Sequence, residues 1–200
     1  MTKHNSLTKH TNGVGPIIFD LETNGLLNNA TRIHCIAVNW YNDKRYESFN
    51  DEPYGDPKTI KEECPMASNH SITTAISNLE VADYLIGHNI VGFDIPIIKR
   101  LYPYFNPTGI IIDTLLLSRL YHPNLLDIDK KHNWKHMPLS LYGRHSLEAY
   151  GYRLGEYKGN FGKTTDWQEW TQDMEDYCKQ DVAVTTKLCN HFHKYLNGSY

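Results

Sequence analysis

Two carboxylates close an otherwise apolar segment near the start of the chain. In GPIIFDLETNGL (15–26), Asp20 and Glu22 stand at i and i+2 after Ile17-Ile18-Phe19. A strand repeats every two residues, so both acids point to one face. Core packing has no use for two adjacent carboxylates, and each raises the other's cost unless a cation or donor intervenes. Asp94 follows a second apolar segment in GHNIVGFDIP (87–96), and Asp181 lies four residues after Tyr177 in DMEDYCKQDVAVTTKL (173–188). On a helix that spacing puts Tyr177 and Asp181 on one face. Four acids from two strand ends and two helices could therefore converge. An oxygen-only cluster suits Mg²⁺ or Mn²⁺. Two such ions about 3.5–4 Å apart clamp the attacking and leaving oxygens of a phosphodiester during in-line displacement. Each acid also has an ordinary reading: a strand-end acid forms turns, Asp94 could cap a helix, and Asp181 alone reads as a solvated helix face. The argument rests on the ordered set D-x-E, N-x3-F-D and Y-x3-D.

The elements that must position these residues are readable in outline. Residues 1–14 are polar, with TKH twice, and read as a disordered leader; 15–200 read as one domain. Arg32–Trp40 and Lys44–Phe49, split by Asn42-Asp43, form a strand–turn–strand signal. Residues 50–70 read as loop. Ile72, Ala75, Ile76 and Leu79 have helical spacing behind a Ser71 cap. Tyr84–Gly87 reads as a strand and Phe93–Leu101 as a helix. Gly109–Ile112 reads as a buried strand ending at Asp113, which can cap a helix over Thr114–Tyr121. The stretch 122–145 reads as a long irregular connection, His145–Gly151 as a short helix and 155–166 as a Gly-rich loop. A final helix runs over about 171–196, with Met174, Cys178, Val182 and Leu188 as core contacts. Strands first and helix–strand alternation afterwards predict an α/β or α+β fold, a single sheet with helices on its faces.

Composition narrows the class. Lys+Arg 20 against Asp+Glu 23 gives a net charge of −3, which excludes a strongly basic nucleic-acid coat but not contact with one strand end. No apolar run approaches the ~20 residues of a membrane span, and MTKHNSLTKHTNG has no signal-peptide core. Cys35, Cys64, Cys178 and Cys189 show no CxxC spacing and read as reduced, partly buried thiols. The 11 histidines include no metal-ligand spacing.

The ordered acids resemble the DEDDy 3′–5′ exonuclease family, which implies its ribonuclease H-like α/β fold, with one five-stranded mixed sheet flanked by helices. IDTLLLSRLYHPNL (112–125), HSLEAYGYRLGEYKG (145–159) and DMEDYCKQDVAVTTKL (173–188) resemble the exonuclease domain of phage T-seven-like family A DNA polymerases. The resemblance runs from about Ile17 to Leu188. It implies that Asp20 bridges two divalent cations, Mg²⁺ or Mn²⁺, and that Glu22 holds the one that carries the attacking water. It implies that Asp94 serves the second ion, Asp181 the first, and that Tyr177 orients the water. A phenol with a pKa near ~10 is a poor base, so positioning suits it better. Thr23 would grip the terminal nucleotide, Leu26 would wedge between the last two bases, and Asn89 would fix substrate or the adjoining loop. The implied activity is metal-dependent 3′–5′ exonuclease action on single-stranded or frayed DNA ends, releasing nucleoside 5′-monophosphates. The setting would be phage DNA replication in the cytoplasm of an infected bacterium, stand-alone or as the proofreading unit of a separate polymerase chain. An RNA exonuclease of the ribonuclease D type and a non-catalytic 3′-end-binding or polymerase-docking module are the alternatives.

With the sequence ending at Tyr200, no polymerase site is expected, and the segment between Gly159 and Trp167 reads as shorter than in those polymerases. Arg119, Arg144, Arg153, Lys158 and Lys163 read either as phosphate contacts or as surface charges. Trp134, Trp167 and Trp170 read as loop packing or base stacking, and His145 as a core or substrate-loop histidine. Asp113 reads as a cap rather than a further ligand.

Overall fold

The structure is a computed structural model and describes residues 14–52, 70–156 and 166–196. The expected leader (1–14, save Val14), most of the expected loops at 50–70 and 155–166, Cys64, Lys158 and Lys163 lie outside the described residues. Strand β1 (Pro16–Thr23) is central in a five-stranded mixed sheet of order β3-β2-β1-β4-β5. It pairs antiparallel with β2 (Ile33–Trp40), which pairs antiparallel with β3 (Arg45–Asn50). On its other side β1 runs parallel to β4 (Tyr84–Gly87), and β4 parallel to β5 (Ile110–Asp113). Around the sheet lie helices α1 (Ile72–Glu80), α2 (Asp94–Leu101), α3 (Thr114–Tyr121), α4 (Leu125–His132), α5 (Leu147–Leu154) and α6 (Gln172–Leu196). This is the predicted ribonuclease H-like α/β fold.

Strand alternation divides the core. Ile17, Phe19 and Leu21 face the cluster that holds Ile72, Ile76 and Leu79 of α1 and Ile97 and Ile98 of α2. Ile18, Cys35, Ala37 and Ile86 face Met174, Cys178 and Val182 of α6. Asp20 and Glu22 share the parity of Ile18, so they are on the α6 side. A third cluster joins Leu125, Leu147 and Tyr150 to Val184, Leu188 and Phe192 of α6. The predicted core residues Met174, Cys178, Val182 and Leu188 are all fully buried. Cys35, Cys178 and Cys189 are free thiols and wholly rather than partly buried.

Three sequence expectations need correction. The 109–112 segment is an edge strand, not a buried one: Ile110 and Ile111 are 59% and 42% exposed, because nothing pairs beyond β5 among the described residues. The 122–145 connection contains α4 and a 3-10 turn at Leu139–Leu141. Its charged run conceals a helix whose one buried acid, Asp129, replaces an apolar stripe. Helix α5 begins at Leu147, because Ser146 rather than His145 caps it through the Ala149 N–H.

Candidate active site

The carboxyl end of β1, the β4–α2 turn and one face of α6 enclose an open cleft of about 220 Å³. It is lined by Asp20, Glu22, Asp94, Tyr177 and Asp181, together with Leu21, His88, Asn89, Phe93 and Trp167. All five residues of the ordered acidic set therefore meet at one place. Asp94 and Asp181 are 3% and 4% exposed, whereas Asp20 and Glu22 are only half-buried.

Each element is held locally. β1 delivers Asp20 opposite Ala37 and Glu22 opposite Cys35, then breaks register between Glu22 and Thr23. Such an irregularity ends pairing and redirects the chain, here into the Thr23–Ala30 loop. The β4–α2 turn leaves through Gly87, where a Cβ would stand 2.9 Å from the Phe19 carbonyl. Asn89 follows with φ 65°, a left-handed conformation that asparagine tolerates. Asp94 opens α2, where its charge meets the positive end of the helix.

Electrostatics mark the cleft as short of positive charge. Burial raises the Asp94 carboxyl to about 7, backbone hydrogen bonds from Asp94 and Leu21 oppose this, and the charges of Asp113 and Asp181 reinforce it. Beneath Asp20, the Cys178 thiol donates to the Asp20 carbonyl at 3.4 Å and lies 3.9 Å from its Oδ2. Ligand atoms of Asp20, Glu22 and Cys178 fall within 4.8 Å of one another. Burial, contact with Cys35 and the nearby Asp20 and Glu22 push that thiol well above its usual pKa, so it stays protonated. The donors left are carboxylate oxygens, a set that fits a hard divalent cation.

A second cleft of about 400 Å³ adjoins the first and shares Glu22, Phe93 and Trp167 with it. Thr23 and Leu26 line it, with Asn24, Gly25, Asn29 and Gln168. Thr23 is buried and its hydroxyl donates to Gly25 O at 2.6 Å, so it shapes the loop. Leu26 is 76% exposed at the rim. Asn89 lines the acidic cleft itself.

A family model described as the RNase_H superfamily matches residues 17–193. The chain belongs to the RNase H superfamily. The resemblance to phage T7-like polymerases holds as well. The DNA-directed DNA polymerases of Enterobacteria phage T3 and Escherichia phage T7 are each 30% identical to this RNase H-like domain over 195 residues. That alignment covers 86% of this chain and 26% of either polymerase, so the chain spans about a quarter of the length of these relatives. Two solved structures share the fold, each with a TM-score of 0.55 and covering 92% of this chain and 75% of theirs. One, described as the apo form of the nuclease, is 18% identical; the other, Brucella melitensis NrnC bound to pGG, is 14% identical. No helix among the described residues of this chain is long and apolar enough to cross a membrane.

The sequence does not single out His88, offers Phe93 only as the F of N-x3-F-D, and leaves Trp167 between loop packing and base stacking. Trp167 lines both clefts, lies edge-on to Tyr177 at 6.4 Å, and has its carbonyl 3.0 Å from His34 Nε2. Its sequence surroundings carry no period, and its contact with buried His34 spans 133 residues. His88 stands beside Asn89 of the motif, and that adjacency is the available signal. Arg153, read as a phosphate contact or surface charge, is instead a buried partner of Asp129 at 2.6 Å.

Proposed function

We propose that this RNase H-like domain is a metal-dependent 3′–5′ exodeoxyribonuclease that releases nucleoside 5′-monophosphates. The observation that carries the reading is the meeting of Asp20, Glu22, Asp94, Asp181 and Tyr177 in one cleft. Asp20, Glu22, Asp94 and Asp181 would hold two divalent cations, Mg²⁺ or Mn²⁺. When bound, the ions lower the pKa of a water and stabilise charge on the leaving 3′ oxygen. Tyr177 orients that water through its hydroxyl and, against Trp167, has a fixed ring. Thr23 maintains the loop that meets the terminal nucleotide, Leu26 inserts beside the last base, and Asn89 contacts the strand at the β4–α2 turn. The similarity to phage polymerases supports DNA as substrate and the bacterial host cytoplasm as location. It also supports a role in phage DNA replication, with a separate polymerase chain as the partner.

The test is digestion of matched DNA and RNA oligonucleotides with labelled 5′ ends in Mg²⁺, Mn²⁺ and EDTA. A ladder shortening from the 3′ end of DNA, absent in EDTA, is expected. Preferential digestion of RNA would assign a ribonuclease, and binding without cleavage in either metal would assign a 3′-end-binding module.

A further inference from the structure

A third cleft, of about 480 Å³, continues from the acidic one on the side away from Leu26. His88 and Asn89 line both. Its banks are Leu115 and Arg119 of α3 on one side, and Gly143, Arg144, His145, Ser146 and Leu147 on the other. Neither the acidic cleft nor the Leu26 cleft has a lysine or arginine in its lining. This third one has two arginines, both exposed and without an ion pair among the described residues.

Buried carboxylates hold both banks in place. Asp129 accepts Arg153 Nε at 2.9 Å, Arg153 Nη2 at 2.6 Å and the Gly143 N–H at 2.8 Å. Arg153 Nη1 then donates to the Arg144 carbonyl at 2.8 Å, so the backbone that presents Arg144 is fixed. On the opposite bank Asp113 caps α3 and accepts the Asn89 N–H. Between them, burial and then the charges of Arg153 and Arg119 hold the His145 imidazole below its usual range, so it is neutral at pH 7 and the arginines supply the positive charge.

A single nucleic-acid strand has a base edge and a phosphate edge. The Leu26 cleft offers apolar and aromatic surface, and the acidic cleft would repel phosphates unless cations are bound. We infer that the Arg119–Arg144 cleft is the track for the sugar-phosphate backbone on the 5′ side of the scissile bond. This rests on the exonuclease reading above. Guanidinium groups suit such a track because they bind phosphate bidentately whatever the base. Contacts of this kind position a strand without reading its sequence.

The experiment compares the unaltered protein, an Arg119→Gln/Arg144→Gln double variant and a Lys99→Gln control at an exposed α2 position. Binding of a 12-nucleotide single strand is followed by fluorescence anisotropy in EDTA over a salt series. Cleavage in Mg²⁺ is measured on the same strand and on a dinucleotide, which has only the scissile phosphate. The double variant is expected to bind the 12-mer on the order of 10- to 100-fold more weakly. The slope of log affinity against log salt should flatten by about 1.4. KM should rise for the 12-mer far more than for the dinucleotide. Equal losses on both substrates would put the arginines at the scissile phosphate and overturn the track. So would loss of binding in Lys99→Gln to the same extent, or unchanged 12-mer affinity in the double variant. Arginine-dependent binding by a protein that cuts neither substrate would uphold the track and reject the exonuclease reading instead.

Discussion

Asp113 holds the turn that carries Asn89. Its Oδ1 accepts the Asn89 N–H at 3.0 Å and its Oδ2 the Val91 N–H at 3.1 Å, while Oδ1 also accepts the Leu115 N–H at 2.9 Å. A single buried carboxylate thereby ties the β4–α2 turn to the start of α3. Asp113→Asn keeps one acceptor and sets an amide NH₂ against a backbone N–H. Loss of about 1–3 kcal/mol in stability is expected, with a larger loss for Asp113→Ala. Urea denaturation measures it, and unchanged midpoints in both variants would show that the turn stands without this clamp.

Asp94 makes the metal-free protein pH-sensitive. Burial, then the charges of Asp113 and Asp181, raises its carboxyl to about 7 despite two backbone hydrogen bonds, while the unfolded chain titrates near 3.8. Between those values the folded state keeps a proton that the unfolded state has lost. Stability is therefore full below the lower value and declines as pH rises through the window, by a few kcal/mol at most. In EDTA the melting temperature should fall between about pH 4 and 7. Millimolar Mg²⁺ or the substitution Asp94→Asn should flatten the fall. A flat profile in EDTA for the unaltered protein would contradict this.

The sheet was legible because its strands carry local signals. Ile17-Ile18-Phe19, the Asn42-Asp43 turn and the Ser71 cap each have a physical meaning within a few residues. The acidic set was legible through its order, since β1 and α6 fix the faces of Asp20, Glu22, Tyr177 and Asp181. The β5 edge was not, because three isoleucines in a row look alike in a central strand and in an edge strand. Nor was α4, since its buried side is made by Leu125 and Asp129, and Asp129 becomes tolerable in the core through partners that include Arg153, 24 residues away. Pairings at that distance leave no periodic trace.

That pair gives a stability prediction. Asp129 is fully buried and Arg153 only 6% exposed in its side chain. Burial would raise the Asp129 carboxyl, but hydrogen bonds from Arg153, Gly143 and Trp134 outweigh it and leave it below its usual range. Its contribution is present above the ordinary carboxylate range and is lost as pH falls through the depressed value. Asp129→Ala strands a buried guanidinium and removes the partner of Trp134 Nε1. A loss of about 3–5 kcal/mol is expected, read from chemical denaturation at neutral pH. A loss below ~1 kcal/mol would mean that Arg153 finds solvent or another acceptor.

Tyr177→Phe removes one hydroxyl from the acidic cleft and keeps the ring against Trp167. Packing and the carboxylates remain, so divalent-cation affinity should hold. Cleavage under single-turnover conditions should slow by roughly 10- to 1000-fold, the range of one positioned group. Unchanged turnover would assign Tyr177 to packing alone, whereas loss of cation affinity would make it part of the binding site.

Leu26 stands on a loop held from several directions. Arg100 donates to the Leu27 and Ala30 carbonyls, Asn24 Oδ1 accepts the Thr31 and Arg32 N–H groups at 2.8 and 3.0 Å, and Leu26 O accepts Ala30 N–H at 2.8 Å. An exposed leucine costs free energy in water, yet this one is fixed at the rim beside the acids. A rigid apolar wedge can replace the stacking that a terminal base loses when it is separated from its neighbour. A paired end must first unpair, at a few kcal/mol, least at a mismatch. Mismatched 3′ ends should therefore be cut faster than matched ones on the same primer-template at one salt concentration. Leu26→Ala should weaken binding of the end and leave cation affinity intact. With the wedge gone, both ends should be cut more slowly, because the terminal base enters without a replacement stacking surface. Equal rates on matched and mismatched ends in the unaltered protein would remove proofreading from the proposed function, and an unaffected Leu26→Ala variant would remove the wedge.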